Sequence, residues 1–233
     1  MRRRGVLLSL IVAGAAVAQP ACDKPVYLTF DTGHMGVAPL IAETLKRHKA
    51  QATFFLSSEP TLTGGTTLDE QWAPWWRERV AEGHDFGSHT WEHHVFLQDL
   101  PAAEGQPARF KVRTQAGIQP PEVNELTADQ YCESLRRVDQ RFQVMTGRRL
   151  SPIFRAPGGR TSPALLAAAQ RCGYAHVGWD RAGFMGDELP SDRFPNAQLL
   201  EKALQGIKPG DILVAHLGIW QRQDPWAPAV LEP

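Results

Sequence analysis

Six short apolar runs alternate along the chain with segments of helical period, and this alternation constrains the fold more than any other feature. Residues 25–30 form a run that closes on Asp31. Further runs cover 52–56, 84–87, 153–154, 174–179 and 211–216, the last closing on His216. Between them, residues 37–48, 75–81, 126–145, 162–172 and 197–205 carry apolar side chains at three- and four-residue spacing, which predicts helices. Thr127 is placed to cap the third helix and Gly147 to end it. A β-α-β-α order gives parallel strands with helices packed outside. An open doubly wound sheet and a barrel both satisfy this periodicity. Two segments break the rhythm. Residues 61–74 read as a loop, and 99–125, rich in Pro, Gly and Gln, read as a long structureless connection.

The 233 residues, 42% of them hydrophobic, suffice for one domain with a real core. Lys and Arg balance Asp and Glu at 25 each, so the basic excess of a nucleic-acid-binding surface is missing. Arg2, Arg3 and Arg4 precede an apolar, small-residue run over 6–18 that ends in Ala16-Val17-Ala18. This pattern predicts a signal peptide over 1–18, a single domain over 19–233, and export to the periplasm or the medium. The run is short for a membrane span, and no later segment is apolar enough, so no transmembrane helix is expected after cleavage. The cysteines are Cys22, Cys132 and Cys172. An odd count excludes a complete disulfide framework; one bridge is compatible with an oxidising compartment, but its pairing is unreadable, and unbridged thiols are the simpler reading. No C-x-x-C spacing marks a zinc-thiolate site.

In parallel α/β folds, functional residues gather at the carboxyl ends of strands. Here those ends carry Asp31, the His89-to-His93 segment, Arg155 and His216. His89 and His93 stand four apart. On a helical turn that puts them on one face, about 5–6 Å apart at Cβ, within reach of one Zn²⁺. His94 reads as a neighbour outside the ligand set. Trp75 and Trp76 read as core, whereas Trp72 and Trp91 are placed to stack on a ring-shaped ligand.

The ordered set of motifs resembles the polysaccharide deacetylases (carbohydrate esterase family 4, the NodB-homology domain). The T-F-D-D-G motif is met by Thr29-Phe30-Asp31-Thr32-Gly33, and H-[ST]-x-x-H by His89-Thr90-Trp91-Glu92-His93. Arg155-Ala156-Pro157-Gly158-Gly159 meets R-x-P-x-G, and Val214-Ala215-His216 stands at L-x-H. The resemblance runs from about residue 26 to 216. It implies a distorted (β/α) barrel, a divalent metal (Zn²⁺ being expected) and hydrolysis of N-acetyl groups on the amino sugars of a polysaccharide or oligosaccharide. By the same resemblance, Asp31 is the catalytic base and Arg155 orients it. His89 and His93 bind the metal, the Gly158 N–H faces the oxyanion, and His216 is the general acid.

Three departures qualify the resemblance. Thr32 replaces the aspartate that is the family's third metal ligand. The D-x-x-D-W motif has no clean match, leaving Asp180 or Asp187 to tune His216, with Asp180 preferred. Finally, the chain ends where the family adds a last helix and strand, so these are expected to be missing or cut short. Two alternatives stay open: hydrolysis of a different N-acyl group, such as formyl, and a metal-poor carbohydrate-binding protein of the same fold.

Overall fold

The computed structural model describes residues 24–101, 104–114 and 121–233. The expected signal peptide and Cys22 lie outside them. In chain order the elements are β1 (Tyr27–Asp31), α1 (Ala38–His48), β2 (Thr53–Leu56), α2 (Ala73–Ala81) and β3 (Asp85–Ser88), then β4 (His94–Leu100), β5 (Arg109–Thr114) and β6 (Val123–Thr127). They continue with α3 (Ala128–Thr146), β7 (Ile153–Phe154), α4 (Pro163–Arg171), β8 (Ala175–His176), α5 (Asn196–Gly206) and β9 (Ile212–His216).

Six of the strands form one parallel sheet in the order β8-β7-β3-β2-β1-β9. The last strand pairs with the first, and the others follow in sequence. That is barrel order; in a doubly wound sheet later strands grow outward from both sides of the first. The ring is open between β8 and β9, and Phe184 makes a single parallel bridge to Val214 on the outer side of β9. The expected distorted (β/α) barrel is this curled, incompletely closed sheet. Among the described residues no helix or strand follows β9. Residues 217–233 are turns, and Leu217, Trp226, Ala227 and Val230 bury into the main core.

Fully buried Phe30, Phe54 and Phe86 stack across β1, β2 and β3, with ring centroids 5.7 and 5.9 Å apart. Ile41 and Leu45 of α1, Trp76 of α2 and Phe142 of α3 cover them. Trp76 is tolerable there because its indole N–H donates to the Thr67 carbonyl at 2.8 Å. Thr127 caps α3 in a reciprocal box with Gln130, and Gly147 ends it at φ 80°.

Three expectations need correction. Residues 99–125 are not a structureless connection, because β4, β5 and β6 form an antiparallel meander there. In β5, Phe110, Val112 and Thr114 face inward while Arg109, Lys111 and Arg113 alternate with them. That period of two was present in the sequence but was masked by the Pro- and Gly-rich flanks. The meander packs on α3 through Phe110, Val112, Tyr131 and Leu135. Second, Cys132 and Cys172 are not lone thiols: they form a disulfide that ties α3 to the end of α4, with Cα atoms 6.1 Å apart. Third, the strand expected over 174–179 pairs only at Ala175–His176, because the Val177 and Gly178 carbonyls turn toward Arg155 instead.

Candidate active site

Strand register builds the site. Asp31, the last residue of β1, lies beside His216, the last residue of β9. Ser88 ends β3 beside Phe154 of β7, so the next residues on each chain segment, His89 and Arg155, emerge at the same rim. Close backbone approach holds β1 and β9 together just beyond these ends. The His34 N–H donates to the Gly218 carbonyl, and a Cβ at Gly33 would collide with that same oxygen.

Arg155 is fully buried and completely spoken for. It donates to Asp31 Oδ1 at 2.9 Å, to the Val177 carbonyl at 3.1 Å and to the Gly178 carbonyl at 2.9 Å. Its guanidinium carbon lies 4.3 Å from the centroid of the Phe55 ring and 5.6 Å from that of Trp179. The other Asp31 oxygen stands 3.6 Å from His89 Nε2. Burial works to raise the Asp31 pKa, but Arg155, His89 and His216 together outweigh it and hold the carboxyl below its ordinary range. Asp31 is therefore an anion fixed in position.

His89 is also fixed. Its Nδ1 lies 2.9 Å from the Arg155 carbonyl, which can only accept, so Nδ1 carries the proton and Nε2 keeps its lone pair. Burial, reinforced by His93 and Arg155, pushes its pKa down to about 3 against the pull of Asp31, so the ring is neutral. The two histidine rings have centroids 4.9 Å apart. A helical turn does not bring them together, contrary to expectation. Residues 89–93 form a turn in which Thr90 and His93 take φ 63° and 50°, left-handed values that non-glycine residues visit at a cost.

A divalent ion suits this pair. His93 Nδ1 is buried without a hydrogen-bond partner, and a neutral His89 whose remote nitrogen is oriented by a carbonyl is the usual arrangement of a metal-binding imidazole. The fit extends to two donors. Among the described residues no three His, Cys, Asp or Glu side chains converge tightly enough to hold an ion. Thr32 does not fill the gap: its hydroxyl accepts from the Ser57 N–H at 3.0 Å and donates to Glu59 Oε2 at 2.5 Å.

His216 is gripped by Asp187, not by Asp180. Its backbone N–H donates to Asp187 Oδ2 at 2.6 Å, and its ring Nδ1 lies 3.1 Å from the same oxygen. Nε2 is 3.6 Å from Glu188 Oε1. Burial lowers its pKa, yet Asp187, Glu188 and Asp31 overcome this and lift it to about 10, so the ring holds its proton at neutral pH. Asp180 instead accepts from the Ile212 N–H at 2.7 Å, which uses its carboxylate to anchor the start of β9. Asp187 lies in an irregular segment between Gly183 and Pro195, where no periodicity could bring it to a strand end.

Two adjoining cavities share His93, Glu188 and His216. Asp31, His89, Gly158 and Trp179 line one; Thr32, Glu59 and Trp220 line the other. Gly158 reaches its wall at φ 63° in the turn Pro157–Gly159. His94 is turned away, with its ring nitrogens 3.2 Å from Ser134 Oγ and Glu92 Oε2. Trp91 is not a free platform, because Arg137 covers its ring at 4.1 Å, and Trp72 packs edge-on against Trp75. Trp220, 56% exposed at the second cavity, is the aromatic face that sequence reading missed.

The family model described as polysaccharide deacetylase matches residues 18–177. A peptidoglycan-N-acetylmuramic acid deacetylase of Bacillus subtilis, PdaA, is 28% identical over 162 residues, 69% of this chain and 48% of the relative. A chitooligosaccharide deacetylase of Azorhizobium caulinodans is 24% identical over 208 residues, 89% of this chain and 80% of the relative. Among solved structures, a carbohydrate esterase family 4 pseudoenzyme from Bacillus anthracis superposes with a TM-score of 0.59 at 18% identity, covering 90% of this chain and 58% of that one. The chain thus spans about half of the PdaA relative.

Proposed function

The chain belongs to the polysaccharide deacetylase family, and from that premise we propose that it hydrolyses N-acetyl groups from the amino sugars of a cell-envelope or extracellular polysaccharide. The buried Arg155–Asp31 pair, with a protonated His216 beside it in the same rim, carries this reading. It supplies a fixed anion and a fixed cation in opposite protonation states at neutral pH, as amide hydrolysis requires.

Asp31 Oδ2, the oxygen not bound to Arg155, takes a proton from a water as that water attacks the acyl carbon. The Gly158 N–H faces the developing oxyanion; one such donor is worth about 3–4 kcal/mol. His216 gives its proton to the departing amine, and Asp187 holds the ring in place as it does so. Acetate and a free amino sugar leave. His89 and His93 would hold a divalent ion, with Zn²⁺ suited to imidazole nitrogen, and such an ion when bound would polarise the acyl oxygen and acidify a water.

The relatives named for peptidoglycan and chitooligosaccharide substrates support a polymer of N-acetylated amino sugars. Export fits the Cys132–Cys172 disulfide, since such bonds persist in oxidising compartments. No helix among the described residues is long and apolar enough to cross a membrane. Acetate release from peptidoglycan fragments and chitooligosaccharides tests the reading. Turnover is expected from the wild type, with a loss of about 10²–10⁴-fold in Asp31→Asn; a variant as active as wild type would remove Asp31 from the mechanism. Among the described residues no three ligands converge, which favours a second reading, a carbohydrate-binding protein without catalysis. Sugar binding with neither metal nor acetate release would select it.

A further inference from the structure

A cavity lined by His93 is also lined by Glu59, a carboxylate with no ion-pair partner among the described residues. Glu59 follows β2, and its backbone is clamped: its carbonyl accepts from the Thr67 N–H at 2.9 Å, and Pro60 bridges to Thr66. Its side chain has one hydrogen-bond partner among the described residues, the Thr32 hydroxyl on Oε2. Oε1 has no hydrogen-bond partner among the described residues, and Glu59 lines the same cavity as Thr32, His93 and His216. Thr32 itself is a poor ligand, because its proton points at Glu59 and its oxygen already accepts from Ser57. A half-buried carboxylate held by a hydroxyl, in the same cavity wall as a histidine with an unpartnered ring nitrogen, is the start of a coordination set.

We propose that Glu59 is the third protein ligand of the divalent ion held by His89 and His93, and that Thr32 is a positioning residue that keeps one Glu59 oxygen occupied while the other coordinates. The inference rests on the metal-dependent reading above. Imidazole ligands bring no charge to a dication, and Asp31 has one oxygen bound to Arg155 and the other reserved for proton transfer, so Glu59 supplies the charge from a different strand end. Closing the set uses the side-chain torsions of glutamate inside the cavity, because the three groups do not yet converge. The base and the metal carboxylate are thereby separate residues, which leaves Asp31 free for proton transfer.

The test is calorimetric titration of the metal-stripped full chain with Zn²⁺, together with the visible spectrum of the Co²⁺-loaded protein. Wild type is expected to bind one ion, and His93→Ala to lose it. Glu59→Gln, nearly isosteric, is expected to weaken binding by more than about 100-fold and to change the Co²⁺ bands. Thr32→Val, which frees Glu59 Oε2 and also leaves the Ser57 N–H unpaired, should cost about 10- to 100-fold. Adding Thr32→Asp to Glu59→Gln should restore affinity by returning a carboxylate to the same wall. Unchanged affinity and spectrum in Glu59→Gln, while His93→Ala loses the ion, would overturn this proposal and leave the metal-dependent reading intact. If wild type and His93→Ala bind alike, or wild type binds no ion, the metal-dependent reading fails and takes the proposal with it. Thermal melts of the metal-free variants matching wild type establish that the losses are not unfolding.

Discussion

The two halves of the rim differ in how fully their polar groups are satisfied. On the Asp31–Arg155 side, three guanidinium hydrogen bonds and two flanking aromatic rings fix Arg155 and one Asp31 oxygen before any ligand arrives. On the His93–Thr32–Glu59 side, one imidazole nitrogen and one carboxylate oxygen have no hydrogen-bond partner among the described residues. The first half is preorganised for proton transfer, where a group misplaced by an ångström is costly. The second holds the unsatisfied groups on which the proposed ion would act.

The strongest way to break the contrast is Arg155→Met. It strands a buried Asp31 charge and should cost about 3–5 kcal/mol of stability, measured by urea unfolding. Glu59→Gln should leave the metal-free stability within about 0.5 kcal/mol, because Glu59 is half-exposed and a glutamine oxygen can still accept from the Thr32 hydroxyl. Removing the Cys132–Cys172 bridge as a double Ala variant should cost about 2–4 kcal/mol while leaving the rate below the melting transition unaltered, since the bridge joins helices away from the rim.

A smaller effect separates Asp187 from Asp180. His216 has a folded-state pKa of about 10 against an ordinary 6.5. Its contribution to stability is therefore complete below about 6.5 and is lost as pH rises through about 10. In Asp187→Asn the alkaline limb of the kcat profile should move toward neutrality, and the alkaline fall in stability should flatten. A limb that stays in place would show that Asp187 does not set the His216 proton. Asp180→Asn should cost about 1 kcal/mol from one backbone hydrogen bond and leave the pH profile unmoved.

Much of the frame was legible because it is local. The apolar runs that became β1, β2, β3 and β9, the Thr127 cap and the Gly147 stop each depend on neighbours a few residues away. The β5 alternation was equally local, yet its flanking Pro and Gly residues outweighed it in the reading. The rim motifs were legible as a set, and Asp31, His89, His93, Arg155, Gly158 and His216 do line or adjoin one pair of cavities. The Cys132–Cys172 pairing, the Asp187 grip on His216 and the Glu59 contact with Thr32 were not readable. Their partners lie 40, 29 and 27 positions apart, joined by no periodic pattern.

By itself, the sequence determined helices α1 to α5, strands β1, β2, β3, β7 and β9 and the strand ends that carry charge, because hydrophobic period and capping act within a few residues. Tertiary structure alone decided that the last strand pairs with the first, and which carboxylate holds His216. Those outcomes depend on close packing and on satisfying buried polar groups from distant parts of the chain, and no window of sequence contains both partners.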